Sequence, residues 1–204
     1  IFFWAMKVGR KYGRKKILNQ PIPKLLQFKR NLANKLVFSK VYAKTGGRVR
    51  FFLCGGAPLS KDIGEFFYAI GLTVIEGYGL TETSPVITAN TFENLKFGTV
   101  GKPIPGVDVR IDEDGEILTK GPHVMNGYYK KEDASREAFE GGWFHTGDIG
   151  HFDEEGFLVI TDRKKDIIVT SGGKNVAPQP IEGILNLNPY ISNALVIGDS
   201  RKFI

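Results

Sequence analysis

The run Leu72-Thr73-Val74-Ile75-Glu76-Gly77-Tyr78-Gly79-Leu80-Thr81-Glu82-Thr83-Ser84-Pro85 constrains this chain more than any other stretch. A short β-like segment feeds directly into a turn rich in glycine, hydroxyl and carboxylate. Gly77 and Gly79 let the backbone approach a ligand closely or take φ > 0. Tyr78 offers a flat ring on which a base can stack. Thr81 and Thr83 supply hydroxyls of the kind that hold phosphate oxygens. Glu82 is a hard oxygen ligand suited to Mg²⁺, which takes one or two carboxylates plus substrate phosphates. Taken alone, the run reads equally well as a glycine-rich turn whose Thr and Ser cap the next element.

What precedes it narrows the fold. Val49–Cys54 reads as a buried strand, and Gly55-Gly56-Ala57-Pro58 turns sharply after it. Ser60 is a good helix N-cap residue. Lys61–Ile70 reads as a helix with Ile63, Phe66, Phe67 and Ile70 on one side. Leu72–Glu76 is then a second strand. Strand, helix and strand in this order predict a parallel α/β sheet, with a ligand at the carboxyl ends of its strands. Cys54, the one cysteine, excludes an internal disulfide, fits a reducing compartment, and is expected to be a buried, inert thiol. One Cys and three scattered His do not make a zinc set.

Charge divides the chain unevenly. Residues 1–50 hold fourteen Lys or Arg and no acid, while residues 51–204 set fourteen cations against twenty-two acids, a net of −8. Residues 1–45 read as helical, broken at Gln20-Pro21-Ile22-Pro23. Leu25, Leu26, Phe28, Leu32, Leu36 and Val37 recur at three- and four-residue steps, which fits an amphipathic helix. Thr45-Gly46-Gly47 ends it. The basic opening leaves two readings open, solvated helix faces or a surface for anionic lipid headgroups. Nucleic acid is set aside, because aromatics interleave poorly with the charges and no RNA-binding fingerprint occurs. No apolar run reaches the ~18 residues of a membrane span.

After Pro85 the pattern changes to short strands: Val86–Asn90, Val107–Asp112 and Glu116–Lys120. Asp114-Gly115 between the last two is a hairpin signal. Residues 95–160 therefore read as a small antiparallel, barrel-like subdomain, interrupted by a helix near Asp133–Glu140. Asn126-Gly127-Tyr128-Tyr129 is a loop to which the sequence assigns no chemistry. Gly141-Gly142-Trp143-Phe144-His145-Thr146-Gly147-Asp148 follows. Asp148, at a strand edge, can accept hydrogen bonds from both hydroxyls of a ribose or bind its own backbone. Phe157–Thr161 reads as a strand, and Asp162-Arg163-Lys164-Lys165-Asp166 lies where a domain boundary would lie. Beyond it come a strand at Ile167–Thr170, a loop Ser171-Gly172-Gly173-Lys174 without Walker spacing, a helix over Pro178–Asn188, and a strand at Ala194–Gly198.

The Tyr78–Pro85 run and the block from Gly141 to Asp148, continuing through Gly156-Phe157-Leu158 to Asp162–Asp166, together resemble the adenylate-forming family. That family comprises acyl-CoA synthetases, luciferases and peptide-synthetase adenylation domains, and the likeness is greatest to long-chain fatty-acid–CoA ligases. It covers residues from about 50 onward well and the first fifty loosely. The resemblance implies an α/β fold in three parts. Residues 1–94 would belong to the sheet of an AMP-binding domain, 95–162 to its antiparallel β subdomain, and 163–204 to the start of a small α+β lid domain.

It also implies roles. Gly56, Ala57 and Pro58 would line an adenine pocket with Glu76, Gly77, Tyr78, Gly79 and Leu80. Thr81 would hold phosphate, Glu82 Mg²⁺, and Asp148 the ribose. Ile160 would border the nucleotide. Arg163 would contact ribose or phosphate, where its planar fork suits the task, and Lys164 would be the pivot. Gly172, Gly173 and Lys174 would line the entry of the coenzyme A thiol. His145 is read as structural, since a carboxylate substrate is already ionised at neutral pH and needs no general base. The implied reaction joins a fatty acid to coenzyme A through an acyl-adenylate, consuming ATP and releasing AMP. The implied location is cytoplasmic, with peripheral contact to an anionic membrane surface through residues 1–50 as the open alternative. An aryl, amino or luciferin acid, or a nucleotide-binding fragment without turnover, are the competing readings. The family's Ser/Thr/Gly-rich phosphate loop and its late adenylation lysine do not occur, so these 204 residues are expected to be inactive alone.

Overall fold

The computed structural model describes residues 1–199 and 201. The chain is a mixed α/β protein that divides into two compact units, each treated separately. One comprises residues 1–78 and 89–101, the other residues 79–88 and 102 onward.

The first unit opens with α1 (Phe2–Ile17) and α2 (Lys24–Ala33), then a π-helical turn (Asn34–Phe38) and α3 (Ser39–Lys44). The break falls at the predicted Gln20–Pro23. Ala5, Met6, Val8, Leu26, Ala33 and Phe38 meet Ala69, Ile70 and Leu72 in one core. Gly9 and Gly13 explain how α1 and α4 (Lys61–Ile70) come so close. A Cβ on Gly9 would clash with the Ala69 carbonyl, and one on Gly13 would stand 2.9 Å from the Tyr68 ring. The predicted apolar stripe of α2 is only partly inward. Leu26 and Ala33 are buried, but Leu25, Phe28, Leu32 and Leu36 are exposed, so the buried stripe is narrower than the spacing predicts.

The parallel pair is β1 (Phe51–Cys54) and β2 (Thr73–Tyr78), in register from Phe51 opposite Thr73 to Cys54 opposite Glu76. α4 connects them and ends on Gly71 at φ 99°. Its Ser60 occupies the N-cap position without a side-chain cap bond. The expectation of a buried β1 is corrected: Phe52 and Leu53 are exposed and Cys54 is only half-buried. Cys54 still reads as inert, since burial and then the Glu76 charge push its thiol pKa up.

β3 (Thr88–Ala89) and β4 (Lys102–Pro103) are two residues each, β3 being shorter than the predicted Val86–Asn90. The second unit is built on an antiparallel sheet of β5 (Asp108–Ile111), β6 (Glu116–Lys120), β7 (Phe139–Glu140), β8 (Trp143–Phe152) and β9 (Leu158–Arg163). The order is β5-β6-β8-β7, and β9 also pairs with β8. β5 and β6 form the predicted hairpin, closed by the Gly115 N–H donating to the Asp112 carbonyl at 2.9 Å. α5 (Glu132–Ala138) precedes β7, whose two residues end the helix before the predicted Glu140. Ile117, Leu118 and Leu158 are fully buried in this sheet.

Past β9 lie a 3₁₀ turn (Lys164–Asp166), the hairpin of β10 (Ile168–Val169) and β11 (Asn175–Val176), and α6 (Pro178–Asn186). Asp162 ties α6 to β9: 1% exposed, it accepts the Gln179 N–H at 3.1 Å in the first turn of the helix. The predicted strand at Ala194–Gly198 is absent. That segment has no ladder partner among the described residues, and the Val196 N–H donates instead to Glu182 Oε1 of α6 at 2.8 Å.

The two strand positions differ sharply in what a truncation should cost. Leu118→Ala removes a wholly buried side chain and is expected to destabilise by about 2–5 kcal/mol. Leu53→Ala, at a side chain 76% exposed, should change stability by less than about 0.5 kcal/mol. Urea unfolding of both variants checks the contrast.

Candidate active site

At the carboxyl end of the parallel pair, the Gly55–Pro58 turn is held from β2. Glu76 Oε1 accepts the Leu59 N–H at 3.0 Å, and the carboxylate is 8% exposed. Burial raises the Glu76 pKa, and the Leu59 N–H opposes that rise. A Cβ on Gly55 would stand 3.4 Å from the Gly77 carbonyl. Gly56, Ala57 and Pro58 are exposed, whereas Tyr78 is buried. Glu76, Gly77 and Tyr78 thus share the last half of β2, and the small residues of the turn sit beside it.

The second unit holds a cavity of about 750 Å³ lined by Gly79, Leu80, Thr81, Glu82, Thr146, Gly147, Asp148, Arg163, Lys164 and Lys165. Three segments of sequence meet there. Gly79 must be glycine, because a Cβ would overlap the Pro85 carbonyl. That fold-back is fixed by Thr83. Its hydroxyl accepts the Leu80 N–H at 2.9 Å and lies 3.0 Å from the carbonyls of Leu80 and Pro85. Thr83 is therefore fully buried and committed to the turn, which corrects its reading as a phosphate donor. Thr81 is exposed at the cavity.

Glu82 is held from a loop that the sequence left unassigned. The Met125 N–H donates to its carbonyl at 2.8 Å, and the Tyr128 hydroxyl donates to Oε1 at 2.9 Å. Burial first, then Glu82, pushes the Tyr128 phenol pKa up, so it remains a donor at neutral pH. No group of three or more His, Cys, Asp or Glu that could enclose a metal occurs among the described residues. A lone carboxylate at a cavity wall suits a cation that draws its other ligands from phosphates and water.

Across the cavity, Asp148 stands on β8 opposite Arg163 on β9, with Arg163 Nε 3.5 Å from its Oδ1. Asp148 is buried and Arg163 exposed. Lys164 does not hang free: its Nζ lies 2.6 Å from Asp114 Oδ2 and 2.8 Å from Glu116 Oε2. His145 Nδ1 also reaches Glu116 Oε2, at 3.1 Å, so the ring is engaged within the fold. Ile160, half-buried on β9, and the exposed Gly172, Gly173 and Lys174 of the β10–β11 turn are not among the cavity residues. Thr146, Gly147, Lys165, Tyr128 and Glu116 escaped the sequence reading as site residues. The Gly-Asp spacing pointed to the first two, but nothing local pointed to Tyr128 or Glu116.

The ion cluster has a defined pH sign. The Lys164 hydrogen bond, foremost, lowers the Asp114 pKa. Burial works to raise the Glu116 pKa, but Lys164, His145 and the Gly147 N–H together lower it. A depressed carboxylate contributes stability in full above its unfolded value, about 4, and loses it as pH falls through the folded value. The Lys164 pKa is raised, so its contribution lasts to high pH and is lost only above its ordinary range. Lys164→Met should therefore flatten the acid-side fall in stability below about pH 4–5. Parallel pH curves for the two proteins in urea titrations would refute this. Tyr128→Phe removes the one hydroxyl seen on Glu82. It should leave the unfolding free energy within about 1 kcal/mol of wild type, read by urea titration.

Residues 17–129 match the AMP-binding enzyme family, and residues 165–204 match the AMP-binding enzyme C-terminal domain. The long-chain-fatty-acid–CoA ligase FadD15 of Mycobacterium bovis is 52% identical over 180 residues, which cover 88% of this chain and 30% of that protein. The structure of o-succinylbenzoate coenzyme A synthetase (MenE) from Bacillus subtilis in complex with AMP aligns with a TM-score of 0.70 at 35% identity, covering 81% of this chain and 37% of that one. The same synthetase in complex with ATP and magnesium ion aligns with a TM-score of 0.68 at 27% identity, over 96% of this chain and 54% of that one. The chain spans about a third or less of the curated relative's length. With more than half of its residues inside the family match, the chain belongs to the AMP-binding enzyme family.

Proposed function

We propose that the protein carrying this chain is an AMP-forming acid–thiol ligase that activates a long-chain fatty acid and transfers it to coenzyme A. The observation that carries the reading is the shared cavity of Thr81, Glu82, Asp148 and Arg163. A phosphate ligand, a cation ligand, a ribose acceptor and a guanidinium are the parts that an adenylating site needs. In the first half-reaction a carboxylate oxygen attacks the α-phosphorus of ATP and pyrophosphate leaves. In the second, the coenzyme A thiol attacks the acyl carbonyl, loses its proton, and AMP leaves. Both steps depend on alignment and charge neutralisation rather than on an activated protein nucleophile. Mg²⁺, held by Glu82, would neutralise the departing pyrophosphate.

The chain's own residues divide the remaining work. Thr81 donates its hydroxyl to phosphate. Asp148 accepts from the ribose hydroxyls, and Arg163 adds positive charge beside it. Gly56, Ala57, Pro58, Glu76, Gly77, Tyr78, Gly79 and Leu80 border the purine, with Ile160 near the nucleotide. Lys164 is the pivot between an AMP-binding domain, with parts 1–94 and 95–162, and a lid over 163–204. Gly172, Gly173 and Lys174 serve thiol entry. Residues 1–50, with fourteen cations and no acid, suit peripheral contact with an anionic membrane from a cytoplasmic location. Among the described residues, no helix is long and apolar enough to cross a membrane. The name of the mycobacterial relative supports a long-chain acid, while the likeness to the succinylbenzoate enzyme keeps an aromatic acid as the second reading.

Pyrophosphate exchange into ATP, run with the full protein and carboxylic acids of graded length, tests the proposal. Exchange should require a long-chain acid and fall at least a hundredfold in Glu82→Gln, whereas exchange driven by succinylbenzoate alone transfers the case to the second reading. The isolated 204 residues should form no thioester detectable by mass spectrometry.

A further inference from the structure

Glu116 has no part in the reaction above, and it does not line the cavity. Its surroundings are nevertheless those of a built site. In the β6–β8 ladder Glu116 stands opposite Ile149 and Leu118 opposite His145, so Ile117 faces three residues, Thr146, Gly147 and Asp148. β8 therefore bulges at the point where Asp148 leaves for the cavity. A bulge re-aims a side chain and strips nearby N–H groups of their ladder partners. Side chains replace those partners. Glu116 Oε1 accepts the Gly147 N–H at 2.9 Å, Thr146 Oγ1 accepts the Asp148 N–H at 3.1 Å, and the Thr146 hydroxyl donates to the Ile117 carbonyl at 2.7 Å. Gly147 takes φ 72°, where only glycine is unstrained.

The other oxygen of Glu116 faces a different element. Oε2 receives Lys164 Nζ at 2.8 Å and His145 Nδ1 at 3.1 Å. The Glu116 side chain is 4% exposed and that of Lys164 50%, so the carboxylate end of the pair is shielded and the ammonium end is open to solvent. One group thus joins β6, the β8 bulge and the 164–166 turn.

We propose that Glu116 is a positioning residue for nucleotide binding. It acts through Gly147 on Asp148 and through Lys164 on the turn that follows Arg163. The inference rests on the ribose role proposed for Asp148. Because both contacts come from the same carboxylate, the height of Asp148 in the cavity and the seating of Lys164 are set together.

Glu116→Gln keeps the Oε1 acceptor and the side-chain shape, but removes the charge and puts an amide NH₂ against Lys164 and His145. In the full protein it should weaken AMP binding, read by calorimetry, about tenfold. It should raise KM for ATP in pyrophosphate exchange by a similar factor, with kcat and the fatty-acid KM changed less than about threefold. Trypsin should cut after Arg163, Lys164 and Lys165 at least about fivefold faster. Glu116→Asp keeps the charge and should recover part of both effects. Glu113→Gln, an exposed carboxylate on the same hairpin, should match wild type in every assay.

Glu116→Gln with wild-type AMP affinity overturns the proposal. So does a fall in melting temperature and kcat with KM for ATP unchanged, which would make Glu116 plain structural support. A wild-type protein that binds AMP yet shows no acid-dependent exchange removes the ligase reading, while the AMP comparison still decides the role of Glu116.

Discussion

β8 is the strand on which the second unit depends. It is ten residues long and pairs with β6, β7 and β9. β7 pairs with its start and β9 with its second half, while the side facing β6 shifts register around Asp148, which lines the cavity. The shift falls between His145 and Ile149. The cost is a set of backbone donors without partners, and the sequence answers it with Glu116 and Thr146. The Trp-Phe-His-Thr-Gly-Asp block is thus a packing solution as much as a binding motif. Trp143 and Phe144 anchor it, through Arg110 stacked 4.7 Å over the indole and Phe139 5.4 Å from the Phe144 ring.

Much of this was legible in the residues themselves. The helix over Lys61–Ile70 and the strand Glu116–Lys120 fall on their predicted bounds, because each has a strong period and an unambiguous stop: Gly71 after the helix, Gly115 before the strand. The grouping of Thr81, Glu82, Asp148 and Arg163 came from resemblance, since no local rule brings residues about eighty positions apart to one cavity. Thr83 was misread for a related reason. A hydroxyl in a turn can face a ligand or its own backbone, and only the fold-back of Pro85 onto Gly79 decides between them.

Other errors trace to pairing, which a sequence does not display. β1 looked like a core strand because Phe51–Cys54 is apolar, yet Leu53 faces solvent. Ala194–Gly198 has strand composition, but its Val196 N–H goes to a glutamate on α6 instead of a neighbouring strand. Leu25, Phe28, Leu32 and Leu36 keep helical spacing, yet only Leu26 and Ala33 of α2 reach the core. Tyr128 and Glu116 stayed invisible because their importance lies wholly in the partners they meet, 46 residues away for Glu82 and 48 for Lys164.

The close seating of Gly9 and Gly13 on α4 has a consequence for how the polypeptide matures. α1 meets α2 and Phe38 soon after it is made, but its seat on α4 is formed only about fifty residues later, and the entropy of closing that longer loop must be met before this part of the burial is gained. Until Leu72 has emerged, Ala5, Met6, Val8 and Phe38 lack the surface that completes their core. A chain in which α4 has not yet docked leaves that glycine face of α1 uncovered, the kind of transient apolar surface that holding chaperones bind.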